Sequence, residues 1–226
     1  MNIRTHPLVV LLHKDLTIEL RSKESIATIN LFAGILAFIF AFGFIGDPAS
    51  NLQVIPGILW ASLFFIGALG VGRTFAREQE QDVFTALALS PVPRAMILAS
   101  KVIINLILSL TTMLLMTPLI AILLHIDLTP YWQGLSILIF LSALGFTLTA
   151  TPLAVMAVNA RFPEVLLPMI VFPLVSPVMI CGVRGCAALL GTSVDQDYWA
   201  WAQMMLAFDL MIGLGAFFLF DWMVNE

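Results

Sequence analysis

Six long apolar runs, separated by short polar stretches, constrain this chain more than any other feature. They cover residues 26–45, 54–71, 96–124, 132–158, 165–183 and 201–223. Each reaches or approaches the ~20 residues that a helix needs to cross a hydrocarbon core of ~30 Å. The basic residues are Arg4, Lys14, Arg21, Lys23, Arg73, Arg77, Arg94, Lys101, Arg161 and Arg184, and nine of these ten fall on one side of the runs, Arg184 being the exception. Cationic side chains are retained on the cytoplasmic side of a membrane. The pattern therefore predicts six spans with the N-terminus in the cytoplasm, and an even number of crossings returns the C-terminus to the same side.

Composition supports this reading. Hydrophobic residues make up 61% of the chain and charged residues 11%, a balance that lipid can solvate and a water-soluble core of this length cannot absorb. The net charge of −4 gives no sign of a nucleic-acid partner, because the acidic residues are spread over both sides. The expected fold is an all-α membrane protein, with residues 1–226 forming a single transmembrane domain. Cys181 and Cys186 would pair only in a tight loop, since on a regular helix five positions apart they diverge. No CxxC pattern points to metal or covalent haem attachment at these cysteines.

Several local features refine the picture. Residues 7–23 read as an amphipathic helix lying flat in the cytoplasmic interface. Val9, Leu12, Leu16 and Leu20 fall on one face, and His13, Lys14, Thr17, Arg21 and the carboxylates lie toward the other. Ala33, Ala37 and Ala41 form a small-residue stripe that lets another helix approach closely. Asp47-Pro48 marks a turn, and Pro56-Gly57 opens the second span. In the fifth run, Pro168, Pro173 and Pro177 each remove a backbone donor, so a kinked or partly broken helix is expected there. The glycine-rich stretch 182–191 is expected to leave the helix and dip into the outer interface. Asp209 lies near the middle of the last run, where a lone ionised carboxylate costs at least ~2.5–3.5 kcal/mol. It is expected to meet other helices or a wet cavity, as a carboxyl group hydrogen-bonded to a neighbour or as a polar contact on a substrate path.

The most polar interior stretch is residues 73–94. It opens with charged residues, among them Arg77, Glu78 and Glu80. Val83, Phe84, Leu87 and Ala88 follow at i, i+1, i+4 and i+5, the apolar face of a short helix, and Ser90-Pro91-Val92-Pro93 stops it. With Leu89, this face would dock into a partner's groove or rest on the bundle. A smaller polar element carries Arg161 and Glu164. No Walker A, HExxH or GxSxG pattern occurs, so the chain reads as a membrane component driven by a partner rather than as an enzyme.

At this second polar stretch the sequence resembles a known family. The run Phe75-Ala-Arg-Glu-Gln-Glu, continuing through Leu87-Ala-Leu-Ser-Pro-Val92, is similar to the loop between spans two and three of the CcmB family. Pro56-Gly57-Ile-Leu-Trp60 and Arg161-Phe-Pro-Glu164, with Leu166-Leu167-Pro168, Phe172-Pro173 and Pro177-Val178, agree with that family's second and fifth spans. Where relatives often carry an acidic-Gly or Gly-Gly pair, a small hydroxyl residue and a Glu, this chain has Gln81-Asp82, Val83 and Thr85.

The resemblance implies an ABC-2-like permease subunit of the cytochrome c maturation system in the bacterial inner membrane. It implies a separate, CcmA-like ATPase, a haem-handling membrane subunit, a haem chaperone and a homodimer within the complex. Arg77, Glu78, Glu80, Phe84, Leu87, Leu89, Arg161 and Glu164 are then expected to contact the ATPase. No resident cofactor is expected, and haem is a ligand that the complex transports or handles. His6, His13 and His125 are isolated. His125, beside Asp127 at an outer helix end, could ligate haem iron, although a single outer-loop histidine reads first as interfacial. A permease for a glycan, lipid or drug, and a scaffold that anchors the ATPase without a substrate path, are the rival readings.

Overall fold

The computed structural model describes residues 7–21, 23–44, 46, 48–80, 93–157, 163–193 and 197–223. Among them the chain forms seven α-helices and no strand. These are α1 (Pro7–Arg21), α2 (Lys23–Gly43), α3 (Pro48–Glu80), α4 (Arg94–Leu123), α5 (Trp132–Ala157), α6 (Pro163–Leu189) and α7 (Tyr198–Met223). A single 3-10 turn, Thr129–Tyr131, leads into α5. Helices α3 to α7 are each long and apolar enough to cross a membrane, and α2 supplies a shorter apolar stretch over 27–43. With no water to satisfy it, a backbone in lipid must close its own hydrogen bonds, which is why such runs become helices.

Helices α2 to α7 alternate in direction, as contacts along them show. At the end remote from most of the basic residues, the Asn51 amide donates to the carbonyl of Leu124 at 3.1 Å and accepts from the backbone N–H of Gly46 at 2.9 Å, tying the start of α3 to the end of α4. At the basic end, Leu167 near the start of α6 lies beside Gly72 of α3. Helix α5 is the most enclosed span and α7 the least, with 67% and 17% of their apolar windows buried. Thus α5 is the inner post of the bundle, packed on α4, α6 and α7, while α7 presents Met204, Leu210, Met211 and Leu214 outward.

Close packing follows the small residues. Ala33, Ala37 and Ala41 are all buried within the main core, together with Ile58, Leu59 and Met113 from α3 and α4. The stripe on α2 is therefore a helix contact, as its spacing predicts. Phe64 of α3 meets Phe146 of α5 and Phe172 of α6 edge-on, with ring centroids 6.2 and 5.4 Å apart.

Four expectations differ from the structure. Helix α6 is unbroken through Pro168, Pro173 and Pro177, which removes the partly broken form of that expectation and leaves the kinked one, and the glycine-rich stretch extends it to Leu189 instead of dipping away. In hydrophobic surroundings an interrupted backbone would expose more unpaired groups than three missing donors leave. Cys181 and Cys186 consequently sit on a regular helix, buried as free thiols. Helix α3 begins at Pro48 and runs to Glu80, well beyond the apolar run at both ends. Its Pro56 is thus an interior helix residue, and no glycine or proline stops the helix between Arg73 and Glu80. The short helix expected over 83–88 lies outside the described residues.

The fourth difference concerns α1. Its inward face carries Leu11, Asp15 and Glu19, all buried, while Val9, Val10, Leu16 and Ile18 are exposed. The carboxylates expected on the solvent side instead point into the bundle.

Candidate functional site

Three polar assemblies stand out. The first is at the basic end, where α1 packs on α4. Lys101, seven residues into α4, buries its side chain almost fully, at 3% exposure. Its Nζ lies 3.1 Å from Asp15 Oδ2, an ion pair whose angles fall outside hydrogen-bonding geometry. The other oxygen, Oδ1, is 2.9 Å from Lys14 Nζ, which remains partly in water. Glu19, one turn further along α1, is buried on the same face. A charge removed from water needs a partner close by, and removing one member of such a pair is far more harmful than never having had it. From the sequence alone, Asp15 and Glu19 read as carboxylates on the polar face of α1. The signal that could have found them is Leu11, Asp15 and Glu19 recurring every four residues opposite a lysine set inside an apolar run.

The second assembly lies inside the spans. The Trp60 indole N–H on α3 donates to the Ser142 hydroxyl of α5 at 2.7 Å. The same indole lies so tightly over Gly182 of α6 that a Cβ there would collide with it. Only glycine admits the ring at that crossing. Closer to the basic end, the Asn105 amide of α4 donates to the Thr151 hydroxyl of α5 at 3.2 Å. Asp209 of α7 is 2% exposed. Its carboxylate packs on Gly145 of α5, where a Cβ would collide with it and would also stand 3.0 Å from Val178 of α6. Neither carboxylate oxygen has a hydrogen-bond partner among the described residues. Asp209 therefore meets other helices as expected, but the hydrogen bond expected from a neighbour is not formed there.

The third assembly is at the far end. The last turns of α4 and the connection to α5 frame an open cavity of about 600 Å³, with Pro118, Ile122 and Trp132 among its walls and His125 at its edge. The backbone N–H of Ile126 reaches back to the carbonyl of Ala121 at 2.9 Å, closing the helix end. His125 takes the left-handed conformation that this closure demands, with φ 55°. Asp127 accepts from the backbone N–H of Thr129 at 2.9 Å. The Thr129 hydroxyl, and then that N–H, hold the Asp127 carboxyl below its ordinary range.

The residues expected to meet an ATPase are distributed as follows. Arg77, Glu78 and Glu80 lie on the last turns of α3, and Glu164 on the first turn of α6. Phe84, Leu87, Leu89 and Arg161 lie outside the described residues. Among the described residues, no three His, Cys, Asp or Glu side chains gather as a metal ion would require.

A helical bundle with buried polar links and apolar outer faces defines a multi-pass membrane protein. Residues 6–220 match the family model described as CcmB protein, and the chain belongs to that family. Its relatives include the heme exporter protein B of Rhodobacter capsulatus, 29% identical over 176 residues, which covers 77% of this chain and 79% of that one. The heme exporter protein B of Pseudomonas aeruginosa is 25% identical over 211 residues, covering 90% and 91%. That of Haemophilus influenzae is 25% identical over 177 residues, covering 75% and 76%.

Proposed function

We propose that this chain is the membrane-spanning, non-catalytic subunit of an ABC-type complex that serves haem handling in cytochrome c maturation. The observation that carries the reading is the family match, which extends along nearly the whole chain. Relatives named heme exporter protein B point the same way. The chain has no phosphate-cradling loop of its own, so a separate CcmA-like subunit would hydrolyse ATP. The other partners would be a haem-handling membrane subunit, a haem chaperone and a second copy of this chain.

The bundle would sit in the bacterial inner membrane with both termini cytoplasmic, as the distribution of basic residues favours. A cysteine introduced beside Arg77 should then resist an impermeant reagent applied from outside, and labelling there would reverse the orientation. The ATPase would meet the polar stretch through Arg77, Glu78, Glu80, Phe84, Leu87 and Leu89, with Arg161 and Glu164 beside it. The extension of α3 to Glu80 supports this assignment, because it carries charged residues beyond the apolar part of the span.

Affinity purification of the full chain in mild detergent tests the function. The ATPase and haem-handling subunits should co-purify. Truncating a buried aromatic anchor commonly costs ~2 kcal/mol, a loss of roughly thirtyfold in affinity. Phe84→Ala should therefore release the ATPase while membrane insertion is retained, and Gln79→Ala should do much less. A Phe84 variant that inserts, holds the ATPase at wild-type affinity and supports cytochrome c maturation would defeat the assignment.

A further inference from the structure

We propose that the far-end cavity is a binding site for an iron porphyrin, with the His125 imidazole as an axial ligand to the iron. This inference rests on the haem-handling reading above and gives it a place in the fold.

Four observations carry it. The cavity, at about 600 Å³, lies within the ~300–1,000 Å³ typical of small-molecule sites. Its walls are largely apolar and include Trp132, which is 43% exposed.

The polar side chains that share the lining are already engaged. Thr117 donates to the carbonyl of Met113 at 2.8 Å, and Asp127 is taken up by Thr129. His125 makes no such bond among the described residues, so both ring nitrogens are available to a ligand. Imidazole is the commonest protein ligand to transition metals.

The third observation is conformational. His125 occupies the left-handed position that closes α4, at φ 55°. Glycine fits that position without strain, as the chain shows at Gly191, φ 69°, where α6 closes. Strained backbone held at a concave surface points to a ligand contact.

The fourth observation selects the class of ligand. A bare metal ion needs three or four protein donors, and among the described residues no such group is present. A porphyrin supplies its own four equatorial nitrogens, so one imidazole and apolar walls suffice, as in haem sites held by a single histidine. Coordination uses the lone pair of one imidazole nitrogen and needs no change in the oxidation state of the iron.

The test uses the purified full chain in lipid nanodiscs, titrated with haemin, with empty discs as the background. The wild-type chain should give a saturable Soret shift of imidazole-ligated iron. His125→Gly removes the imidazole and also the strain at φ 55°, so its melting temperature should not fall. Its haemin affinity should fall by roughly tenfold or more, with loss of the shifted Soret band. Free imidazole should restore that band in the variant, and His13→Ala should behave as wild type. Equal binding and equal spectra for wild type and His125→Gly would overturn the proposal, as would a wild-type chain that binds haemin no better than empty discs. Neither result would touch the ATPase assignment, which co-purification tests separately.

Discussion

Asp15 and Asp209 are both buried carboxylates on helices, yet the molecule treats them in opposite ways. At the basic end, Asp15 meets two lysines, and one of them, Lys101, is as buried as the carboxylate itself. In the α5–α7 crossing, Asp209 lies against a glycine with neither oxygen hydrogen-bonded among the described residues. The first is an electrostatic contact that fixes one helix on another. The second is a steric contact, in which the shape of the carboxyl group matters and no described residue hydrogen-bonds to it. Docking α1 through charge leaves its apolar residues free to face lipid, whereas α5 and α7 meet through close backbone approach.

The sharpest way to break this contrast is to remove one lysine. Lys101→Ala should destabilise the protein by about 3–5 kcal/mol, because Asp15 would stay buried with its innermost partner gone. Thermal unfolding in detergent would show this, together with faster proteolysis within α1. The pair Asp15→Asn with Lys101→Met should recover much of the loss. If Lys101→Ala melts like wild type, the α1 contact is apolar and the comparison collapses.

A smaller effect is expected at the other site. Gly145→Ala places a methyl group against the Asp209 carboxylate and Val178, and overpacking of this kind costs about 1–3 kcal/mol. Adding Asp209→Ala should relieve most of it, with a coupling of about 0.5–3 kcal/mol between the two changes. Additive losses in the double-mutant cycle would mean that the two positions do not meet.

The smallest effect should come from Asp209→Asn, which keeps the shape and removes the ionisable group. We expect a change within about 1 kcal/mol in the same unfolding assay, since no ion pair or hydrogen bond to a described residue is lost. A loss approaching that of Lys101→Ala would reveal a charged or hydrogen-bonding partner for Asp209 and erase the distinction between the two carboxylates.

Much of this architecture was legible in the residues alone. Long apolar runs marked where the helices lie, because lipid leaves a spanning segment little alternative to a helix; five of the six runs form helices long enough to cross a membrane, and the first forms a shorter one. The spacing of Ala33, Ala37 and Ala41 marked a buried face, because residues four apart align on one side of a helix. The motifs around Phe75 and Arg161 pointed to the CcmB family, to which the chain belongs. What the sequence could not supply was the partner of each polar group. Asp15 and Lys101 are 86 positions apart, and nothing in either neighbourhood names the other. Ser142 and Trp60 are separated by a similar distance, and the packing of Asp209 on Gly145 depends on two helices crossing at that height. Likewise, α6 stays helical despite three prolines because the surrounding packing, not local propensity, decides whether an interruption is tolerated. Hydrophobicity is a property of each segment and can be read along the chain. Pairing is a property of two segments brought together, and only the tertiary structure decided it.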